Sequence, residues 1–487
     1  MARARFAPSP TGPIHIGNIR TALFNYLFVK SGEERNTMVL RIEDTDLQRS
    51  SDDYERLIYE ELRWMGIEWD EGPDKGGDYS PYRQSERLDI YNEYYNRLIG
   101  EGKAYYCFCT PEELERDKKQ SVCEASSPRY SGRCRKLTET EVQTYLKEGR
   151  PATVRFRVEP DKTVVFDDAV KGRIEIVSET LGGDMVIRKS DGMPTYNFSA
   201  VIDDHLMNIT HVIRGEDHLT NTPKQILIYD AFGWDKPVFA HAPLILGPDR
   251  AKLSKRHGNT YIGQYREEGY LPEAMFNYLA LLSWSPEGDR ELLNKDEIVD
   301  QFKLDRVTRA NPVFDIDKLN WINAHYIREA DLERITELAK PHLIREGLLT
   351  RQQAAEKKEW VKMMVEIVQD SLVKVSDITE RAGIFFDDRI TPENDKALEA
   401  LKGEQVPGLL DRFKSKIQEA GQIDEEFCSG IFKVLQKETG IKGKNLFMPV
   451  RVAVTGQCHG PDLVKTLLLL GREKLLVRIR HVLDNYV

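Results

Sequence analysis

Two short segments hold the residue types that a triphosphate needs. His15-Ile16-Gly17-Asn18 follows Pro8-Ser9-Pro10-Thr11-Gly12-Pro13, a rigid turn that cannot be helical. A helix N-terminus presents unpaired N–H groups and a partial positive charge, which suits phosphate. Gly17 lets a nucleotide approach the backbone closely, and His15 can donate to a phosphoryl oxygen. The second segment, Lys252-Leu253-Ser254-Lys255-Arg256, follows Gly247-Pro248-Asp249. Two lysines three apart on a loop flanked by Gly and Pro can close on a triphosphate. Each segment alone has a plainer reading, a capped proline-rich turn and a solvated basic loop.

A third group is Cys107-x-Cys109, then Cys123, then Cys134. This spacing suits Zn²⁺, and it equally suits reduced cysteines in a loop-rich insertion. Six cysteines in 487 residues, with no even framework, point to a reducing compartment, with the cytosol as the expectation. The N-terminus lacks an apolar core of the signal-peptide kind. No apolar run approaches the roughly 18 residues of a membrane span. Net charge is −10, which taken alone argues against nucleic acid, but the stretch from Gly440 to Val487 carries a net +5. That end reads either as a solvated basic helix face or as a phosphate-contacting module on an acidic body.

These side chains need elements to position them. Arg3–Ala7 reads as a strand. After the proline turn, Ile19, Ala22, Leu23, Tyr26 and Leu27 fall at helical spacing, with Gly32 where a C-cap would sit. Thr37–Ile42 reads as a second strand, and Leu57, Ile58, Leu62 and Met65 as one face of a second helix. This β-α-β-α order predicts a parallel sheet with helical crossovers. Residues 105–190 read as an α+β insertion, with Thr153–Val158 alternating like a strand. Sheet-like sequence resumes near Tyr196 and includes His211–Ile213 and Val238–Ala240. Beyond Asp315 the sequence is helical almost throughout.

Together, the His-Ile-Gly and Lys-Leu-Ser-Lys-Arg segments resemble the two signature motifs of class I aminoacyl-tRNA synthetases. The surrounding sequence narrows the resemblance to the bacterial glutamyl-tRNA synthetases. It lies in Arg5-Phe6-Ala7-Pro8-Ser9-Pro10-Thr11-Gly12, Arg41-Ile42-Glu43-Asp44-Thr45-Asp46 and Pro81-Tyr82-Arg83-Gln84-Ser85-Glu86-Arg87. It continues through Pro194-Thr195-Tyr196-Asn197, Asp203-Asp204-His205-Leu206, Val212-Ile213-Arg214-Gly215-Glu216-Asp217 and Ala231-Phe232-Gly233-Trp234. Pro449-Val450-Arg451-Val452-Ala453-Val454-Thr455-Gly456 extends it towards the end, so it covers essentially the whole chain. Asn18 replaces the last histidine of the first motif, and Leu253 and Arg256 replace Met and Ser of the second; His15, Gly17, Ser254 and Lys255 remain.

The resemblance implies an α/β Rossmann-like catalytic domain with an α+β insertion, followed by all-α anticodon-binding domains. The implied boundaries are residues 1–104 and 195–245 for the two catalytic halves and 105–194 for a connective, acceptor-stem-binding insertion. Residues 246–328 would form a stem-contact domain carrying the Lys-Leu-Ser-Lys-Arg loop, and 329–390 and 391–487 two helical anticodon-binding domains. The implied reaction is ATP- and Mg²⁺-dependent ligation of glutamate to tRNA(Glu) through an adenylate, in a cytoplasmic monomer. His15, Ser254 and Lys255 are the implied catalytic residues, with His15, Gly17, Lys252 and Lys255 on ATP. Arg5, Ser9, Glu43, Tyr196 and Arg214 are implied for glutamate, the arginines as carboxylate forks and Glu43 for the ammonium. The structural alternatives are a surface charge for Arg5 and an ion pair with Glu216 or Asp217 for Arg214. Some family members bind zinc, here through Cys107, Cys109 and Cys134. Lys136 stands where those members have a histidine, so Cys123 or Tyr130 would be the fourth ligand. Arg451, Pro461 and Leu463 are implied for the anticodon. Ser371 stands where members that reject tRNA(Gln) carry an arginine, so charging of tRNA(Gln) as well as tRNA(Glu) stays open. A glutaminyl relative is disfavoured by the helical C-terminal sequence, and a truncated paralogue by length. A non-catalytic tRNA-binding descendant is disfavoured by the retained His15, Ser254 and Lys255.

Overall fold

Ala4, Arg5 and Phe6 are all buried in the first strand, as expected for a strand covered on both faces. The computed structural model describes residues 1–32, 36–123 and 130–487. Their strands are β1 (Arg3–Phe6), β2 (Thr37–Leu40), β3 (Ala104–Cys107), β4 (Thr153–Phe156), β5 (Thr163–Asp168), β6 (Gly172–Val177), β7 (Met185–Arg188), β8 (His211–Gly215) and β9 (Val238–Ala242). One sheet has the order β2-β1-β8-β9-β5-β6. It is parallel from β2 to β5, and only the β5–β6 pair is antiparallel. A second, antiparallel sheet has the order β3-β4-β7.

The parallel sheet agrees with the sequence expectation, and the insertion is the surprise. Its β5–β6 hairpin extends the catalytic sheet rather than standing apart. Asp168 pairs with Phe239 of β9, and the Ala169 N–H donates to the Phe239 carbonyl at 2.8 Å. β5 alternates exposed and buried residues along Thr163–Asp168, the pattern of a strand with one wet face.

Two local expectations are corrected. The first helix, Ile16–Lys30, ends on Ser31, whose N–H donates to the Leu27 carbonyl at 2.8 Å, so Gly32 is not its cap. Tyr196 opens a helix, Tyr196–Leu206, rather than a strand. Most side chains of the Ile16–Lys30 helix are buried, among them Ile19, Ala22, Leu23, Tyr26 and Leu27, the residues at helical spacing. Within it the Asn25 amide donates to the Ile213 carbonyl at 2.9 Å, tying the helix to β8.

This sheet lies in one compact unit, Met1–Arg266 with Pro272–Ile316; a second unit comprises Glu267–Leu271 and Asp317–Val487. The second unit is helical, and among the described residues no β-strand follows Ala242. Its longest helix, Leu463–Asn485, is interrupted at Gly471, where φ is 66°. No described helix is long and apolar enough to cross a membrane.

Candidate active site

In a parallel sheet, ligands bind in the crevice beyond the carboxyl ends of the strands, where neighbouring crossovers diverge. Arg5 sits at that end of β1, Arg214 at that end of β8, and Glu43 just beyond β2. With Ser9 and Tyr196 they line one cavity of about 390 Å³, a size that suits a small substrate. Thus the five residues implied for glutamate are brought together. Thr11, Asn18, Gln84, Asp217 and His218 also line it.

Buried charge organises this cavity. Arg5 is 3% exposed, so it is not a frayed surface charge; its Nε donates to Asp204 Oδ1 at 3.0 Å. Arg41, fully buried, donates to the same oxygen at 2.7 Å and to Glu43 Oε1 at 3.1 Å. Asp203, beside it, accepts from Arg87 at 2.7 Å, Gln84 at 2.8 Å and the Tyr91 hydroxyl at 2.8 Å. Burial alone would raise the Asp204 carboxyl, but Arg41 and Arg5 outweigh it and hold the group below its ordinary range. For Glu43 burial wins over Arg41 and Arg5, and the carboxyl is pushed up. A cation arriving beside Glu43 would reverse that shift.

Arg214 differs. It is 4% exposed, and no described carboxylate lies within ion-pair distance of it, Glu216 and Asp217 included. Its Nε donates to His241 Nε2 at 3.1 Å and its Nη2 to Thr222 Oγ1 at 2.7 Å and Gln225 Oε1 at 2.8 Å. Its Nη1 donates to the Tyr196 hydroxyl at 3.0 Å. Among the described residues this buried guanidinium has only neutral hydrogen-bond partners, so an anion in the cavity would supply it with a direct counter-charge. His241 and Asp168, which complete its surroundings, escaped the sequence reading. The available signal was a lone histidine in the otherwise apolar strand Val238–Ala242.

The first signature segment also meets the chain that follows the second, residues 260–262. Ile16 N–H donates to the Thr260 carbonyl at 2.8 Å, and Ile262 N–H to the Ile14 carbonyl at 3.2 Å. His15 is the N-cap of its helix, with Nδ1 accepting the Gly17 N–H at 3.1 Å. Burial, then the charge of Lys252, push its pKa down, against Asp217. Exposed Lys252 pairs with Asp217 at 3.4 Å, and Lys255 Nζ sits 5.3 Å from the centre of the Tyr261 ring, which also packs edge-on to His15. Ser254 N–H donates to His257 Nδ1 at 3.1 Å. His15, Gly17, Lys252, Ser254 and Lys255 do not line the cavity itself, whereas their neighbours Asn18 and Asp217 do.

Three cysteines converge elsewhere. The Sγ atoms of Cys107, Cys109 and Cys134 all lie within 4.8 Å of one another, Cys109 and Cys134 at 3.5 Å. The Tyr130 hydroxyl is 3.4 Å from Cys107 Sγ and 3.6 Å from Cys109 Sγ, under the Arg155 guanidinium at 3.8 Å from its ring centre. Zinc–thiolate bonds of about 2.3 Å at tetrahedral angles place sulfurs about 3.8 Å apart, so this donor set fits. The Cys123 side chain lies outside the described residues. In the second unit, Arg451 Nη1 donates to the Pro461 carbonyl at 2.8 Å, next to Leu463, whose own side chain is buried. Ser371 is exposed at the end of the turn Gln369–Ser371, its hydroxyl donating to Val368 at 2.7 Å.

Comparison with known proteins decides the family. The family model for class I tRNA synthetases (E and Q), catalytic domain, matches residues 1–321, and that for an anticodon binding domain matches residues 334–483. A glutamate–tRNA ligase of Caldanaerobacter subterraneus subsp. tengcongensis is 56% identical over 482 residues, covering 99% of each chain. The chain belongs to the glutamate–tRNA ligase family. The Bacillus subtilis glutamate–tRNA ligase is 46% identical, again over 99% of both chains. A crystal structure of the glutamate tRNA ligase of Elizabethkingia meningosepticum in complex with its amino acid is 35% identical. It covers all of both chains with a TM-score of 0.86. The parallel catalytic sheet followed by a helical anticodon-binding part is thus the architecture of this family.

Proposed function

We propose that the chain joins L-glutamate to tRNA(Glu), using ATP to form glutamyl-adenylate and releasing pyrophosphate and AMP. The single observation that carries the substrate assignment is Arg214, a buried guanidinium with no acidic partner among the described residues, on the wall of a cavity shared with Arg5 and Glu43. Arg214 and Arg5 take a carboxylate, and Glu43 takes the ammonium. Ser9 and Tyr196 add polar contacts. Glutamine would bring an uncharged amide whose own N–H groups face guanidinium donors, so it is rejected by charge and by hydrogen-bond polarity.

Neither step requires a nucleophile from the protein. The glutamate α-carboxylate attacks the α-phosphorus of ATP, and the terminal adenosine hydroxyl of tRNA then attacks the mixed anhydride. Catalysis is therefore positioning and charge stabilisation. His15 and Lys255 act on the developing phosphate charge, Ser254 holds the loop, and Gly17 and Lys252 help seat the triphosphate, with Mg²⁺ neutralising the remainder. Residues 105–194 and 246–328 would contact the tRNA stem. Residues 329–390 and 391–487 would contact the anticodon, through Arg451, Pro461, Leu463 and the neighbourhood of Ser371. Cys107, Cys109, Cys134 and Tyr130 would hold one zinc ion that stiffens the insertion. The enzyme works in the cytoplasm as a monomer, and with serine at 371 it also accepts tRNA(Gln).

The test is Arg214→Ala. Leaving the substrate carboxylate unpaired costs about 3 kcal/mol or more in kcat/KM for glutamate. Near-normal glutamate use by that variant would sink the assignment.

A further inference from the structure

We propose that His241, held in one tautomer by Asp168, is the positioning residue that decides which edge of the Arg214 guanidinium is offered to the substrate. The proposal rests on the reading that Arg214 receives a substrate carboxylate.

The chain of contacts is closed and dry. Asp168 Oδ2 lies 2.6 Å from His241 Nδ1, and both side chains are completely buried. Asp168 Oδ1 accepts three backbone N–H groups, those of Lys171 at 2.7 Å, Val170 at 3.0 Å and His241 at 3.2 Å. Burial opposes the charge on Asp168, but the His241 bond and these amides outweigh it and keep the carboxylate ionised. An ionised carboxylate only accepts, so Nδ1 carries the imidazole proton. On the other side of the ring, a guanidinium only donates. Nε2 must therefore be bare, and it accepts the Arg214 Nε–H at 3.1 Å. Burial keeps the ring neutral, with Arg214 itself adding to the effect against Asp168.

This lock consumes Nε of Arg214, while Thr222 and Gln225 consume Nη2. Only Nη1 remains, and its one assigned partner is the Tyr196 hydroxyl of the cavity wall. Were the imidazole proton on Nε2, it would meet the Arg214 Nε–H head-on and compete with Nη2 for Thr222 Oγ1, which lies 3.0 Å from Nε2, so the guanidinium would have to turn. The glutamate pocket is thus aimed from behind by a residue of β5, within the inserted segment.

Asp168→Asn tests this without changing shape. The three backbone donors demand the amide oxygen at the Oδ1 place, so the NH₂ group faces His241 Nδ1 and drives the proton to Nε2. The same substitution logic switches the tautomer in a serine-protease triad. The expected results are ¹⁵N shifts of the His241 ring that report the exchange and a KM for glutamate raised by about tenfold or more, as for loss of one bond to a charged group. The preference for glutamate over glutamine should fall, with KM for ATP within about twofold. His241→Gln keeps an acceptor at the Nε2 place, so its KM for glutamate should stay within about threefold. Adding Asp168→Asn to it should then cost nothing further, a non-additivity that a merely structural role does not produce. If Asp168→Asn does not fold, His241→Ala against His241→Gln decides, and equal effects on KM overturn the proposal. An exchanged tautomer with unchanged glutamate KM overturns it as well, as does a tautomer that does not exchange. If Arg214→Ala loses glutamate while these variants do not, the positioning role fails and the pocket assignment stands. If Arg214→Ala keeps glutamate, the pocket assignment itself fails.

Discussion

The Nδ1 atom of His15 accepts the backbone N–H of Gly17 at 3.1 Å. In the neutral ring this leaves the proton on Nε2, so the side chain is a donor on its free side. Burial and the charge of Lys252 keep the ring neutral by lowering its pKa below 6.5. We expect His15→Ala to lower kcat and kcat/KM for adenylate formation together, by about a hundredfold, because the donor acts on charge that develops in the transition state. ATP–pyrophosphate exchange with tRNA present measures this. In the wild type, acid should protonate Nδ1 and break the Gly17 bond with an inflection below pH 6.5; an inflection above it would contradict the cap geometry.

Lys255 is exposed and near Tyr261, with no acidic partner among the described residues, whereas Lys252 is paired with Asp217. Lys255→Ala should therefore slow adenylate formation far more than it weakens glutamate binding, lowering kcat and kcat/KM together. If only KM for ATP rises, Lys255 is a ground-state ligand instead.

Asp204 is shared by Arg5 and Arg41, the one carboxylate among the described residues that both contact. Asp204→Asn leaves two buried guanidiniums short of charge, and we expect a loss of about 3–5 kcal/mol in denaturant unfolding. The pH dependence has a definite sign. The folded pKa lies below the unfolded one, so this stabilisation is fully present above the unfolded value of about 3.9 and disappears as pH falls through the folded value. Stability of the wild type should thus fall more steeply below about pH 4 than that of the variant.

The parts legible in the sequence were those carried by local pattern. Arg5, Glu43 and Arg214 sit in short motifs beside predicted strands, and the structure places them on one cavity. What stayed hidden depends on tertiary pairing. Nothing in the periodicity of Thr163–Asp168 says that it will join β9 rather than a separate sheet, so the contact of Asp168 with His241 could not be read. Tyr196–Leu206 is a helix rather than sheet, and it buries Ser199, Asp203 and Asp204 along with its apolar residues, so polarity along the sequence does not mark its outer face. The alternatives for Arg5 and Arg214 failed for the same reason, since burial and the choice of Thr222, Gln225 and His241 as partners are properties of the packed fold.

Protein purified without chelator should carry about one zinc per chain, by metal analysis, as expected of a closed four-donor site. Cys107→Ser should lose it. Tyr130→Phe removes only the phenol oxygen that sits 3.4 Å from Cys107 Sγ, so it should weaken zinc retention against a chelator without abolishing it. A fully active, metal-free preparation would leave reduced cysteines as the description of this cluster.

Ser371 bears on which tRNA is accepted. Its hydroxyl proton is already committed to the Val368 carbonyl at 2.7 Å, so towards a base the side chain can only accept. An arginine at the same exposed place would offer several donors and a bidentate contact worth about 1–3 kcal/mol of discrimination. We expect the wild type to charge tRNA(Gln) within about a hundredfold of tRNA(Glu), the most that losing one such contact explains. Ser371→Arg should then depress tRNA(Gln) charging selectively, leaving tRNA(Glu) nearly unchanged. Side-by-side charging of the two purified tRNAs measures both. A wild-type rate on tRNA(Gln) lower than that, together with no effect of Ser371→Arg, would place discrimination in other residues of the helical unit.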